Sequence, residues 1–229
     1  MAIPCPHRCL VHSSSMTPAM ENALARLRTK SGSHFVLGKG VLGEAGYGLY
    51  KLDFLAAATL NRSLCLVGAF CSLVEAKNMI AGAPILRCQL DNALRFSAST
   101  LVDQPHDFAW EVVGGTPIRK LKDRSGQKMT DAYLVQQLSK SYPWVSWLYE
   151  RASGYVHLSE KHIFNAFTLG DREGTWDIKI SGQDAGAWTE ERYLEAVEAF
   201  AAVTDLVLEL VNAWVIERQP VIVAQDSPT

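Results

Sequence analysis

The chain has 229 residues, 48% hydrophobic and 20% charged, which excludes disordered, collagen-like and low-complexity architectures and is long enough to bury a core without staples. The formal net charge of −2 excludes a global basic field. Basic and acidic residues are unevenly placed: five against one in residues 1–39, thirteen against eleven in 40–163, and four against twelve in 164–229. A polyanionic partner is therefore restricted to the front and middle of the molecule.

Residues 1–15 read as an irregular arm. Pro4, Pro6 and His7, with no apolar run between charged and small flanks, do not form a signal peptide. Thr17-Pro18 predicts a helix start, Thr17 as N-cap and Pro18 in the first turn, running to about Lys30 and stopped by Gly32. Gly38, Gly40, Gly43, Gly46 and Gly48 then predict a loop or a weak helix start; they make no dinucleotide or P-loop fingerprint. Residues 49–78 keep apolar residues at 3–4 spacing nearly all round, the pattern of a central buried helix. Its longest uncharged stretch, Ser63–Val74, is too short to span a bilayer, so no membrane association is expected.

Gly82-Ala83-Pro84 interrupts, and 85–101 predicts the next helix. Asp103–Asp107 reads as a turn, 109–113 as a short helix or strand, and 117–128 as a basic connection. Thr130 caps a predicted helix over 131–140, and Pro143 opens another carrying Trp144 and Trp147. Thr175–Ile180 alternates as a strand, and Thr189 opens a last long helix with one apolar stripe to Trp214. The expectation is an all-α helical bundle: one domain over 16–219, a small β-hairpin insertion near 168–186, and a flexible tail over 220–229.

Five cysteines is an odd number; Cys65, Cys71 and Cys88 lie in apolar runs and read as small buried hydrophobes in a reducing, cytoplasmic setting. Four groups of residues carry chemistry. Cys5, His7, Cys9 and His12 fall within eight positions but lack the second ligand cluster of a structural zinc site. Arg87, Asp91 and Arg95 share one helix face, as a salt-bridge ladder or as the polar wall of a cleft. Arg119, Lys120, Lys122, Arg124 and Lys128 oppose only Asp123, a segment suited to phosphate contacts or to plain solvation. Tyr149 to His162 holds Arg151, Tyr155, His157 and His162; its plain alternative is a helix–turn–helix corner with His157 satisfied in the core.

Arg151 and His157 stand as Arg-x5-His. The string Tyr149…Ser153-Gly154-Tyr155-Val156-His157 resembles the Tyr…Leu-Ser…Val-His segment of HEPN-like bacterial proteins, and Leu86-Arg87…Leu90-Asp91…Leu94 is similar to the helix preceding it there. The resemblance covers residues 45–165 and the last helix. It implies a HEPN-type bundle, a homodimer with 149–162 near its axis, and metal-independent endoribonuclease activity without cofactor. Such proteins serve as toxins or antiphage effectors, which implies an antitoxin or other protein partner. In that chemistry His157 takes the 2′-OH proton, Arg151 answers the phosphorane charge, and His162 is the reserve acid–base group. Arg87, Asp91, Arg119, Lys120, Lys122, Arg124 and Tyr155 are the candidate substrate contacts, and Trp144 and Trp147 candidate dimer contacts. Ala152, where HEPN nucleases usually carry a polar residue, favours the alternative: a catalytically inactive binding or interaction module.

Overall fold

The computed structural model describes residues 16–43, 47–170, 172, 174–178, 180–184, 188–218 and 221–222. The Cys5/His7/Cys9/His12 arm lies outside the described residues.

Eight α-helices dominate the described residues: α1 (Pro18–Leu42), α2 (Lys51–Glu75), α3 (Met79–Ser97), α4 (Pro105–Val113), α5 (Asp131–Leu138), α6 (Trp144–Ser153), α7 (Glu160–Ala166) and α8 (Glu190–Glu217). The short strands are β1 (Tyr47–Gly48), β2 (Phe167–Leu169), β3 (Trp176–Ile178) and β4 (Val221–Ile222). β2 and β3 form the hairpin expected near 168–186, while β1 pairs antiparallel with β4. The tail expected to be flexible from 220 thus contributes β4 at the point where β1 joins α1 to α2.

α1, α3 and α8 run parallel to one another and antiparallel to α2. Thr17 meets Glu190, Lys30 meets Asp205 and Gly40 meets Val215, so α1 and α8 advance together. Arg28 meets Glu75 whereas His34 meets Ser63, so α1 and α2 run oppositely. A chain leaving α3 must therefore return to the starting end before α8 can run parallel to it. Residues 98–189 make that return: α4 lies along the start of α2, with Phe54 against Trp110, and α5 and α6 come back along α3. The stack of Phe70 on Phe200 lies at the centre of the larger core cluster. α2 and α8 are each long and apolar enough, by length and composition, to cross a membrane; here both place their buried stripes against neighbouring helices.

The main departure from the sequence pattern is α1, which runs on through Gly32, Gly38 and Gly40 to a cap at Gly43, whose φ of 69° takes the left-handed region. Gly40 is needed there, because a Cβ would stand 2.8 Å from Val215 Cγ1 on α8. The end of α1 is then pinned from α8. Arg218 donates to the carbonyls of Gly40 and Val41, orphan acceptors at a helix C-terminus, and pairs with Asp53 at 3.1 Å. Asp53, fully buried, also accepts from the Tyr50 N–H (2.8 Å) and Trp214 Nε1 (2.8 Å). α3 likewise starts earlier than expected and carries Pro84 inside it.

A directed hydrogen-bond chain crosses the bundle. Arg62 donates to Asn92 Oδ1 (2.6 Å), Asn92 to Gln89 Oε1 (3.0 Å), and Gln89 Nε2 to both Ser63 Oγ (2.6 Å) and Thr204 Oγ1 (3.0 Å). The Ser63 hydroxyl is left to donate to His34 Nε2 (2.8 Å), and His34 Nδ1 donates to the Lys30 carbonyl (2.8 Å). Every member is satisfied only if His34 is neutral. Cys71 is buried with its thiol pushed up by that burial, but Cys65 faces solvent, against the expectation that it is buried.

Two predictions follow from these contacts. Gly32 and Gly38 have open space where a Cβ would sit, so Gly32→Ala and Gly38→Ala should each stabilise by about 0.5–1 kcal/mol, whereas Gly40→Ala should destabilise by about 1–3 kcal/mol through overpacking; urea midpoints read all three. Burial holds the His34 imidazole below its usual range, so the unfolded chain binds its proton more readily. The stability this confers is present above about pH 6.5 and is lost as pH falls through the lower folded value. His34→Gln should flatten that dependence, measured as the wild-type minus variant difference in unfolding free energy between pH 7.5 and 5.

Candidate functional site at the α6–α7 corner

α6 ends at Ser153 and α7 begins at Glu160. Successive turns close the gap, from Tyr155 N–H to the Ala152 carbonyl and from Val156 N–H to the Ser153 carbonyl, both 3.1 Å. Ser159 Oγ then bonds the Gly154 carbonyl at 2.7 Å, holding the corner shut. Arg151 therefore lies in the last turn of a helix and His157 beyond its end, so the angular spacing of a continuous helix does not relate them. Both side chains are exposed. The buried-histidine alternative does not hold: His157 sits on the turn, with no hydrogen bond or ion pair to a described residue.

Arg151 is held on two sides. Its guanidinium lies over Trp147, 5.0 Å from the ring centroid, with Glu195 of α8 at 3.8 Å, an attraction without a hydrogen bond. Lys161 reaches back across the corner to the Arg151 carbonyl (2.8 Å) and over the Tyr155 ring (4.7 Å). Gly154 leaves room for this crossing, since a Cβ would stand 2.8 Å from Lys161 Nζ. Tyr155 is half-buried; burial pushes its phenol up, the Arg151 charge opposes this, and the group stays protonated near neutrality.

His162 has a structural position. Its Nδ1 accepts the Ser159 N–H at 3.2 Å, the place that a Glu or Gln side chain takes in a capping box. Only Nε2 is left for other partners.

Arg151, Tyr155 and Lys161 border a cavity of about 580 Å³ between α3, α6 and α8. Neither His157 nor His162 lines it. Trp147 and Trp188 flank it, Arg192 and Glu195 lie at its α8 side, and Met79 with alanines and leucines forms the rest. Trp188 continues an aromatic run, 6.0 Å from Tyr155 and 5.4 Å from Tyr193. The Tyr193 hydroxyl donates to Asp184, whose Oδ2 also accepts the Met79 N–H, anchoring the 180–184 segment beside the start of α3. Of the aromatics proposed as dimer contacts, Trp144 packs against the core and Trp147 is exposed at the cavity.

Arg87 and Asp91 lie elsewhere on α3. Arg87 is nearly buried, bonded to Asp131 of α5 at 3.1 Å, 3.7 Å from Asp91, and stacked on Tyr149 of α6 at 4.3 Å. Asp91 also holds Arg95 (3.1 Å) and Arg62 (3.4 Å), and Arg95 shares Asp131. This ladder joins α2, α3, α5 and α6, the architectural alternative for these residues. Asp131 completes it from the first turn of α5.

The basic segment is ordered. Lys122 and Lys128 are bridge partners, so their side chains share a face. Asp123 accepts from Ser125 N–H, Gln127 N–H and the Tyr133 hydroxyl; the Tyr133 bond, ahead of those from Ser125 and Gln127, holds its carboxyl at about 2. Arg119, Lys120, Lys122 and Lys128 are exposed. Arg124 is used internally: it donates to the carbonyls of Thr100 (2.7 Å) and Val102 (3.2 Å). Among the described residues, no three His, Cys, Asp or Glu side chains gather as a metal group. No family model, curated protein or solved structure matches the chain.

Lys161, Trp188, Arg192 and Glu195 were not legible as site residues. Their only signal was composition, an aromatic before a capped helix and charges within its first turns. Replacing His162 with Ala should destabilise α7 locally by about 1 kcal/mol, as loss of a capping contact does, and should speed amide exchange over 159–163 while the 151–153 amides keep their protection.

Proposed function

We propose that the chain is a HEPN-like helical bundle acting in the cytoplasm as a metal-independent endoribonuclease on single-stranded RNA. One observation carries this reading: the α6–α7 corner presents two exposed groups of the required chemistry, Arg151 steadied by Trp147 and Glu195, and His157 unpartnered on the turn. A base must reach the 2′-OH, and a solvent-facing imidazole with both nitrogens available can do so. A guanidinium fork matches the oxygens of a phosphorane. A two-fold dimer about this corner brings two such pairs to one cleft. RNA approaches along the face of Arg119, Lys120, Lys122 and Lys128, where phosphate contacts position the strand. A toxin or defence role with an inhibitory protein partner is the biological form of this proposal.

The second reading is a catalytically inactive HEPN-like binding or interaction module. Ala152, buried beside Arg151, favours it, because no polar side chain follows the arginine to assist proton transfer. In EDTA, wild-type protein should cut single-stranded RNA to fragments ending in 2′,3′-cyclic phosphate, and His157→Ala and Arg151→Ala should each slow cleavage by about 10²–10⁴-fold. Intact RNA across several substrates favours the second reading; cleavage surviving both substitutions contradicts the site. Replacing Lys120, Lys122 and Lys128 together with Ala should lower the salt slope of RNA binding by about 2 while leaving the fold intact, since Arg124 is retained.

A further inference from the structure

The cavity between α3, α6 and α8 has a chemistry that the ribonuclease reading does not use. Its volume of about 580 Å³ falls in the range of small-molecule sites. The room comes from short side chains at facing positions: Ala83 on α3, Ala152 on α6, and Ala196 and Ala199 on α8. Met79, Leu86 and Leu148 complete its apolar interior. The polar side chains of the lining are Trp147, Arg151, Arg192 and Glu195, all exposed, and Tyr155, Lys161 and Trp188, half-buried.

Arg151 and Lys161 are cationic and Glu195 anionic, so these three groups leave an excess of positive charge at the mouth. Glu195 answers Arg151 only at 3.8 Å, leaving the guanidinium donors to be met from outside. Lys161 commits one donor to the Arg151 carbonyl and has others.

These features select a ligand. A nucleobase sunk into this interior would leave its polar edge without partners, which is costly. A neutral apolar molecule would fill the interior and leave the charge at the mouth unmet. We propose that the cavity binds a small amphiphilic anion, an aliphatic or aromatic body buried among the alanines and leucines with a carboxylate or similar head at Arg151 and Lys161. Such a ligand holds the guanidinium that the ribonuclease reading assigns to the phosphorane, so its binding opposes that of RNA at Arg151.

Isothermal titration calorimetry on the full chain tests this with four probes: decanoate, 2-naphthoate, decanol and AMP. One carboxylate should bind with one ligand per chain; decanoate over 2-naphthoate identifies an aliphatic body, the reverse an aromatic one. Decanol should bind at least about tenfold more weakly than decanoate, the loss of one charge-assisted contact. Arg151→Gln, a surface change, should weaken the carboxylate at least about tenfold, and Ala199→Leu, which fills the interior, should abolish binding in protein whose circular dichroism is unchanged. AMP binding more tightly than both carboxylates, decanol matching decanoate, or no binding at millimolar concentration would each overturn the proposal. His157→Ala separates the two readings: it should stop RNA cleavage and leave carboxylate affinity unaltered, and absence of ribonuclease activity has no bearing on the titrations.

Discussion

The side-chain amide of Gln89 is the constraint on which the bundle depends. It is fully buried, yet both of its hydrogens and its oxygen are used, toward α2, α8 and the next turn of α3. Apolar side chains tolerate sliding past one another; a buried amide does not, because a shift that breaks its bonds leaves polar groups orphaned in the core. Gln89 therefore sets how far along α8 the helix α3 is placed. Met79, Ala83 and Leu86 lie on the same stripe of α3, so the same register brings them opposite Ala196 and Ala199. The cavity follows from helices locked at a position where short side chains face short side chains.

The two ends of the bundle are closed by different physics. At the far end Asp53 and Arg218 form a buried pair whose remaining groups are all but used: the carboxylate caps the start of α2 and accepts Trp214, and the guanidinium caps the end of α1. Desolvation offsets much of the attraction in such a pair, but removing either partner would leave the other charge buried and unmet. At the near end the α6–α7 corner is held by local contacts: turn hydrogen bonds from Tyr155 and Val156, Ser159 to Gly154, Ser159 N–H to His162, and Lys161 to Arg151. None of these contacts is a buried ion pair, and the exposed arginine and histidine are found there.

Much of the helical order was legible in the sequence because α2, α3 and α8 carry long apolar stripes and because Thr17, Thr130 and Thr189 cap their helices through the side chain. The glycines of α1 misled because glycine is a breaker only where nothing else orders the backbone; at Gly40 close packing against Val215 requires it. Asp53 and Arg218, or Lys30 and Asp205, are far apart in the chain and leave no local spacing to detect. Within the site, the Arg151–His157 segment was legible as a motif, whereas Trp188, Arg192 and Glu195 come from the start of α8 and the residues before it, and join Arg151 around the cavity only through tertiary packing. Arg87 and Asp91 were visible as a charged face, but whether such a face lines a cleft or clamps a neighbour is decided by Asp131, which lies on α5.

The central claim is that the register held by Gln89 forms the cavity beside Arg151. Fluorine NMR of protein labelled with 5-fluorotryptophan, compared between wild type and a folded Gln89→Leu variant, tests it most directly. Trp147 and Trp188 border the cavity, while Trp110 lies on α4 against Phe54. The account predicts that the Trp147 and Trp188 resonances shift or broaden and the Trp110 resonance stays in place; unmoved Trp147 and Trp188 signals in a folded variant would contradict it.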